Sequence, residues 1–249
     1  MKTSESSYLT LADRLADTLV GVEPGTRLPS EHDLSGSEGV SRITARAALQ
    51  ELERRHLVRR TRGAGTFAAL RIPYPIRDVA DPSWSQIVRD AGHEPSYADV
   101  QVDSLRAPAD LARTLEIPRG RTLTRLRRTG FVDGQPASHG TTYLPADLVP
   151  DLASALAKEP SITKVLREVY GHEPERLWSR VEISTAPAEN AERLGLVGRP
   201  PAWCVDSANR CTRTGRPLQV GRGWFRADTF QVYLALGPVE GPFPNLEIP

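Results

Sequence analysis

Near the start of the chain the apolar residues Tyr8, Leu11, Ala12, Leu15 and Leu19 recur at helical spacing, which predicts an amphipathic helix with one packed stripe. Gly21 predicts its end, and Pro24 with Gly25 predicts a turn. LPSEHDL then opens a shorter helix, with Ser30 as its cap and Asp33 completing a capping box, and SGSEG stops it. Ser41 caps a third helix, in which Ala45, Ala48, Leu49 and Leu52 share one face and Arg42, Ile43, Arg46 and Gln50 share the next. Residues 57–60 and 66–69 read as short strands joined around Gly63 and Gly65, a hairpin whose tip is flanked by Arg60 and Arg62. Three helices followed by a basic hairpin predict a winged helix-turn-helix over residues 1–69.

This order of elements suits DNA. The N-terminal end of a recognition helix enters the major groove, arginines reach guanine edges or phosphates, and glycine at a hairpin tip lets backbone approach the minor groove. Arg54, Arg55, Arg59, Arg60 and Arg62 are then expected on the phosphate-facing side. A lone cluster of arginines is more often a solvated face; the succession of elements carries the reading. From YLTLADRL to GAGTF the chain resembles the DNA-binding domain of the GntR-type bacterial transcription regulators, with PGTRLPSE, VSRITARAAL and GAGTF in the family's order and spacing. The resemblance implies that Ser30, Arg42, Thr44 and Arg46 meet DNA from the helices, with Gly65 at the wing tip. GVEPG is one residue shorter than the usual turn and Ala45 replaces the usual valine, but neither change removes a polar contact.

RIPYPIRDVADP is rich in proline and lacks a period, so residues 70–81 are expected to be a linker. Beyond it the chain repeats itself. GHEP stands at 92–95 and again at 171–174, and VDSLRAPADLARTLEI aligns with VEISTAPAENAERLGL, so that Leu115 meets Leu194. Further on, Gly134, Pro136, Tyr143 and Asp147 meet Gly215, Pro217, Trp224 and Asp228. Each copy predicts helix, strand, helix and then a hairpin, with turns at Asp133-Gly134 and Thr214-Gly215. The halves are expected to build one antiparallel sheet with helices packed on it, an α+β domain over 82–236 followed by a proline-rich tail over 237–249.

A domain of two like halves offers a cleft where they meet, and each half starts a helix there: Ser83, Trp84 and Ser85 in one, Ser161, Ile162 and Thr163 in the other. Helix starts bearing hydroxyls attract anions, and Arg128, on a strand between Leu126 and Gly130, would complete such a site as a fixed donor fork. The competing reading of Arg128 is a solvated strand arginine. By the repeat, Trp84 is the counterpart of Thr163 and would supply an apolar wall.

This half resembles UTRA, the effector-binding domain of the HutC subfamily of these regulators, whose fold resembles that of chorismate lyase. The resemblance implies that Arg128 matches the first of two effector-binding arginines in sugar-phosphate-sensing members, and that Ser161 matches a serine on the same anion. Elsewhere the residues depart: Gly130 replaces the second arginine, Gly140 a ligand-binding glutamate, Thr163 a tyrosine, Gln219 a second glutamate and Phe225 another tyrosine. These changes argue against an amino-sugar phosphate. RADTFQVYL and FVDGQPASHGTTYL are more similar to regulators of bacterial phosphonate utilisation.

Composition narrows the picture further. The 249 residues suit two modest domains, and a net charge of +1 excludes a globally basic nucleic-acid coat protein while leaving local patches open. No apolar run is long enough to cross a bilayer and MKTSESSYLT lacks a signal-peptide core, so a cytoplasmic protein is expected, with no membrane partner. Cys204 and Cys211 have no CxxC or histidine spacing around them, so free thiols are expected and no zinc site. The repeated His93-Glu94 and His172-Glu173 invite a metal reading, but the repeat and a proline turn already explain them. No cofactor is implied. There is no nucleophile elbow, no meaningful pair of carboxylates and no phosphate loop, which argues against an enzyme. A chorismate-lyase-like activity and a ligand-independent DNA binder are the alternatives. The expectation is a homodimeric repressor that reads palindromic double-stranded operator DNA and is released by a small anionic effector, since one recognition helix buries too little DNA by itself.

Overall fold

The structure is a computed structural model, and residues 4–61, 63–76, 83–196 and 200–234 are described. They separate into two compact units: one runs to Ile72 and takes in Ala227–Gln231, and the other runs from Pro73 to Arg226 and takes in the residues from Val232 on.

In the first unit, α1 (Ser4–Thr18), α2 (Glu31–Ser37) and α3 (Arg42–Arg54) precede a hairpin of β1 (Val58–Thr61) and β2 (Gly65–Ala68). Leu11, Ala12, Leu34, Ala45, Ala48, Leu49, Leu52 and Val58 form its buried core, with Tyr8, Leu15 and Leu19 packed at the margin. The apolar stripes therefore meet as their spacing requires. Both predicted caps form. Ser30 and Asp33 exchange side-chain and backbone bonds in a capping box, and the Ser41 hydroxyl accepts from the Thr44 N–H. His56, at φ 55°, ends α3 in the left-handed region, and the Leu57 N–H returns to the Leu52 carbonyl at 3.0 Å.

The arginine cluster is divided rather than presented as one surface. Arg54 and Arg55 both turn onto Glu51, and Arg55 also reaches Asp13. A nearly buried carboxylate one helical turn away thus pairs with both, while the Arg54 side chain stays 69% exposed.

Residues 70–81 also differ from a structureless linker, because β3 (Ile72–Ile76) forms a short two-stranded sheet with the chain's last described strand, Phe230–Leu234. The Ile72 N–H donates to the Thr229 carbonyl at 2.6 Å, while Pro73 and Pro75 fall on the alternate positions that need not donate. The same pairing explains why Ala227–Gln231, expected inside the second domain, groups with the first unit. Residues 77–81 and the tail 237–249 lie outside the described residues, as does Arg62.

The second unit repeats one pattern. Its first half contains α4 (Trp84–Asp90), β4 (Pro95–Arg106), α5 (Ala109–Thr114), β5 (Thr122–Val132) and β6 (Gln135–Pro145). Next come α6 (Leu152–Lys158) and α7 (Ile162–Lys164), which runs into a π turn over Val165–Val169. The second half continues with β7 (Pro174–Thr185), α8 (Ala188–Arg193), β8 (Pro201–Cys211) and β9 (Pro217–Arg226), before β10 (Phe230–Leu234). The antiparallel sheet has the order β4-β5-β6-β9-β8-β7, so the halves join through β6 and β9 at its centre, where Tyr143 faces Val220 and His139 faces Trp224.

On one sheet face, Leu126 and Leu144 pack with Leu152, Leu156, Val165 and Leu166. On the other, α5 and α8 bury the repeat-equivalent Leu115 and Leu194. Asp133 and Gly134, at φ 49° and 72°, make the tight hairpin turn that their sequence predicts.

Glu51 generates a stability prediction. Its side chain is 8% exposed, and hydrogen bonds from Arg54, reinforced by Arg55 and opposed by desolvation, hold its pKa at about 2 against an ordinary 4.5. A folded-state pKa below the unfolded one contributes stability above the unfolded value and loses it as pH falls. Glu51→Gln is expected to destabilise the first unit by about 2 kcal/mol at neutral pH. The loss should shrink as wild type is acidified from 4.5 toward about 2. Urea melts across that window check this; a mutant whose deficit does not change with pH overturns it.

Candidate functional site

The first unit places most of its predicted contact residues around the start of α3. Arg42, Ile43 and Arg46 are exposed there, Ile43 to 81%, while Thr44 is half-buried with its hydroxyl 2.9 Å from that of Ser41. Ser30 sits at the start of α2 with its hydroxyl donating to Asp33 at 2.7 Å, and its hydroxyl and N–H together hold the Asp33 carboxyl below the usual range.

A residue absent from the sequence reading links these parts. Glu31 accepts from Arg46 Nε at 2.9 Å and from Arg60 Nη2 at 2.8 Å, so one carboxylate orients the recognition helix and the hairpin together. Arg42 Nη2 lies 3.0 Å from His32 Nδ1. Such partly exposed pairs contribute about 0–1 kcal/mol, so they set geometry while leaving the guanidinium groups exchangeable for a phosphate. Gly65 has φ 122°, a conformation that favours glycine, and a Cβ there would press on the Arg27 side chain, 3.0 Å from Nε.

The second unit carries a cavity of about 140 Å³ against one face of its sheet. Arg128, Gly140, Gly223 and Val205 lie in one register row from β5 through β6 and β9 to β8. The neighbouring row runs Tyr97, Gly130, Ser138 and Phe225. Two tilted aromatic pairs border the space, Trp84 with Tyr97 at 5.2 Å and Tyr74 with Phe225 at 5.0 Å between centroids.

Glycine is sterically required in this floor. A Cβ on Gly140 would meet the Arg222 carbonyl oxygen at 2.9 Å, and one on Gly130 would meet Trp84 at 2.9 Å. Arg128 is fixed with Cζ 3.9 Å from the centre of the Tyr97 ring and Nη1 donating to the Pro160 carbonyl at 2.6 Å. Burial pushes its pKa below the usual guanidinium value, and among the described residues no carboxylate pairs with it.

The two predicted helix starts do meet. The Ser83 hydroxyl lies 2.8 Å from that of Ser85 and 3.0 Å from that of Ser161, and Ser161 follows the carbonyl that Arg128 holds. Their anion-binding role is weaker than expected, however. The Ser161 N–H donates to Glu159 Oε1 at 2.8 Å, its hydroxyl accepts from the Lys164 N–H, and α7 spans only Ile162–Lys164 before the π turn. Trp84, Arg128 and Phe225 line the cavity. Ser83, Ser85 and Ser161, together with Thr163, 5% exposed, and Gln219, opposite Asn209, are not among its lining residues.

The sequence reading missed Tyr74, which lay in the expected linker, and Tyr97, whose place opposite Gly130 follows from register alone. It also missed Gly221 and Gly223, although glycines alternating along a strand signal a close approach. Elsewhere, His93 Nδ1 lies 2.7 Å from Asp133, and no cluster of three potential metal ligands occurs among the described residues. No described helix is long and apolar enough to cross a membrane.

Comparison with known proteins matches these two units to two domain families. Residues 7–68 match the bacterial regulatory proteins of the gntR family, and residues 90–231 match the UTRA domain. The chain is 29% identical over 209 residues to the HTH-type transcriptional regulator GgaR of Escherichia coli (strain K12), covering 84% of this chain and 82% of that one. It is 25% identical over 235 residues to the mannosyl-D-glycerate transport/metabolism system repressor MngR of the same organism, covering 91% and 94%. The crystal structure of PhnF from Mycobacterium smegmatis shares its fold, with a TM-score of 0.62 at 23% identity over 91% of this chain and 98% of that one.

A winged helix joined to a sheet domain of this kind defines a DNA-binding transcription regulator. The chain belongs to the GntR family and carries a UTRA domain, the architecture of the HutC type.

Glu31→Gln is expected to release Arg46 and Arg60 from their shared anchor. Binding to random-sequence DNA should rise, and its salt dependence should steepen by about one phosphate contact, while preference for operator over random DNA falls. Fluorescence anisotropy across a salt series measures both; unaltered discrimination would show that Glu31 does not set this geometry.

Proposed function

We propose that the protein is a homodimeric repressor that leaves a two-fold operator when a small anionic metabolite binds Arg128. The observation that carries this reading is a guanidinium fixed at a cavity by Tyr97 and Pro160 with no carboxylate pairing it among the described residues. A half-buried cation held in place without a carboxylate partner favours an anion.

On the DNA side, the exposed start of α3 supplies Arg42 and Arg46, and Thr44 stands beside them. Arg60, and Arg62 by its place in the sequence, serve as phosphate contacts from the hairpin, Gly65 lets its backbone come close, and Ser30 adds a contact at the start of α2. Two copies supply two half-sites, and with them enough interface for a specific site. The anion acts by binding one arrangement of the dimer more tightly than the other. Repression is supported by the relative MngR, which is named a repressor.

Enzyme chemistry of the chorismate-lyase kind is disfavoured on two grounds. The relatives are named as regulators, and the cavity is lined without aspartate or glutamate among the described residues. Conversion of a bound acid into product would reverse that judgement.

Arg46→Ala is expected to cost about 1–3 kcal/mol of operator affinity and to relax preference at one base of each half-site. Titration of operator variants, with folding checked by circular dichroism, tests this, and an unchanged titration refutes the contact. Arg128→Ala is expected to bind operator yet no longer be released by the compound that releases wild type. If its release is unchanged, the anion binds elsewhere. If no compound releases even the wild type, the protein is a ligand-independent DNA binder.

A further inference from the structure

We propose that the cavity of the second unit takes a planar aromatic monocarboxylate, its ring lying on Gly140 beside the Phe225 ring and its carboxylate on Arg128. This rests on the reading of that cavity as the effector site and adds the chemical class of the ligand.

Shape comes first. Gly140 and Gly223 face each other across the central strand pair, and the Phe225 ring lies over Gly223, so the floor offers bare backbone at Gly140 with an aromatic ring beside it. A flat surface of peptide plane and aromatic ring fits the whole face of a planar ring, whereas a puckered ring meets it only through its projecting axial groups. Aromatic side chains stand at both ends, Trp84 with Tyr97 and Tyr74 with Phe225, and offer edges and faces at the separations aromatic rings prefer. The cavity's roughly 140 Å³ is close to the size, about 150 Å³, that accommodates a benzene ring in an apolar protein interior.

Charge selects the anion. Arg128 stands one strand from Gly140, so a carboxylate on a ring over Gly140 lies within its reach. The other arginine at the cavity, Arg222, has its guanidinium on Asp206, at 2.6 and 2.9 Å. Burial lowers the pKa of His139, the histidine of the lining, and so disfavours its charged form. One available cation neutralises one negative charge. A phosphate dianion would bring a second charge that no further free cation of the described lining matches. A carboxylate also matches the guanidinium fork in a bidentate pair.

Calorimetric titration of the full chain with benzoate, cyclohexanecarboxylate and methyl phosphate tests the assignment, with tryptophan fluorescence reporting on Trp84. Benzoate is expected to bind and to quench emission, with the quenching reduced in Trp84→Phe. Cyclohexanecarboxylate, equal in charge but puckered, should bind about fivefold to tenfold more weakly, and methyl phosphate more weakly still.

Arg128→Lys, which keeps the charge but loses the fork, should weaken benzoate by about tenfold. It serves as a second variant should Arg128→Ala fail to fold. Equal binding of the planar and puckered acids, or no benzoate binding at millimolar concentration, overturns the aromatic class. Tighter binding of methyl phosphate that still depends on Arg128 overturns the class while leaving the site intact. Benzoate binding indifferent to both Arg128 variants overturns the site and the class together.

Discussion

The antiparallel pairing of β6 with β9 is the constraint on which the second unit depends. It joins two copies of one helix–strand–helix–hairpin pattern into a single sheet, and it places the cavity floor at the join. Gly140 lies so near the Arg222 carbonyl, and Gly221 so near that of Thr141, that a side chain on either would push the strands apart. The steric demand of the pairing therefore also leaves open the space that a ligand can fill. Fold and site share one cause there.

Electrostatics divides the arginines of this chain into those already satisfied and those left available. Arg54 and Arg55 are held by Glu51, Arg125 by Asp103 and Arg222 by Asp206. These pairs orient side chains and fix strand or helix neighbours. Arg128 instead rests on an aromatic face and a carbonyl, contacts that hold its position without cancelling its charge. Arg46 and Arg60 form an intermediate case, since Glu31 positions them through partly exposed bonds weak enough to be exchanged.

Sequence by itself determined what depends on neighbours along the chain. Helical spacing of Leu11 and Leu15, the caps at Ser30 and Ser41, and the turn at Asp133-Gly134 are local, because each rests on residues within one or two turns or on backbone conformation. The internal repeat extended that reach, since two like halves are expected to bury like residues, and Leu115 and Leu194 are both buried. The resemblance singled out Arg128 and Phe225, and the helix start and repeat singled out Trp84; the three line one cavity.

Tertiary structure decided the rest, because it depends on strand register and on competition between charges distant in sequence. Tyr97 reaches the cavity through its pairing with Gly130, and Tyr74 lies on a strand that its prolines disguised as linker. Ser83, Ser85, Ser161, Thr163 and Gln219, all expected at the site, fall outside the cavity lining. Ser161 spends its hydrogen-bonding groups on its own turn, and Arg54 and Arg55 both pair with Glu51. A sequence shows which groups carry charge or hydrogen bonds; only folding brings together the partners that compete for them.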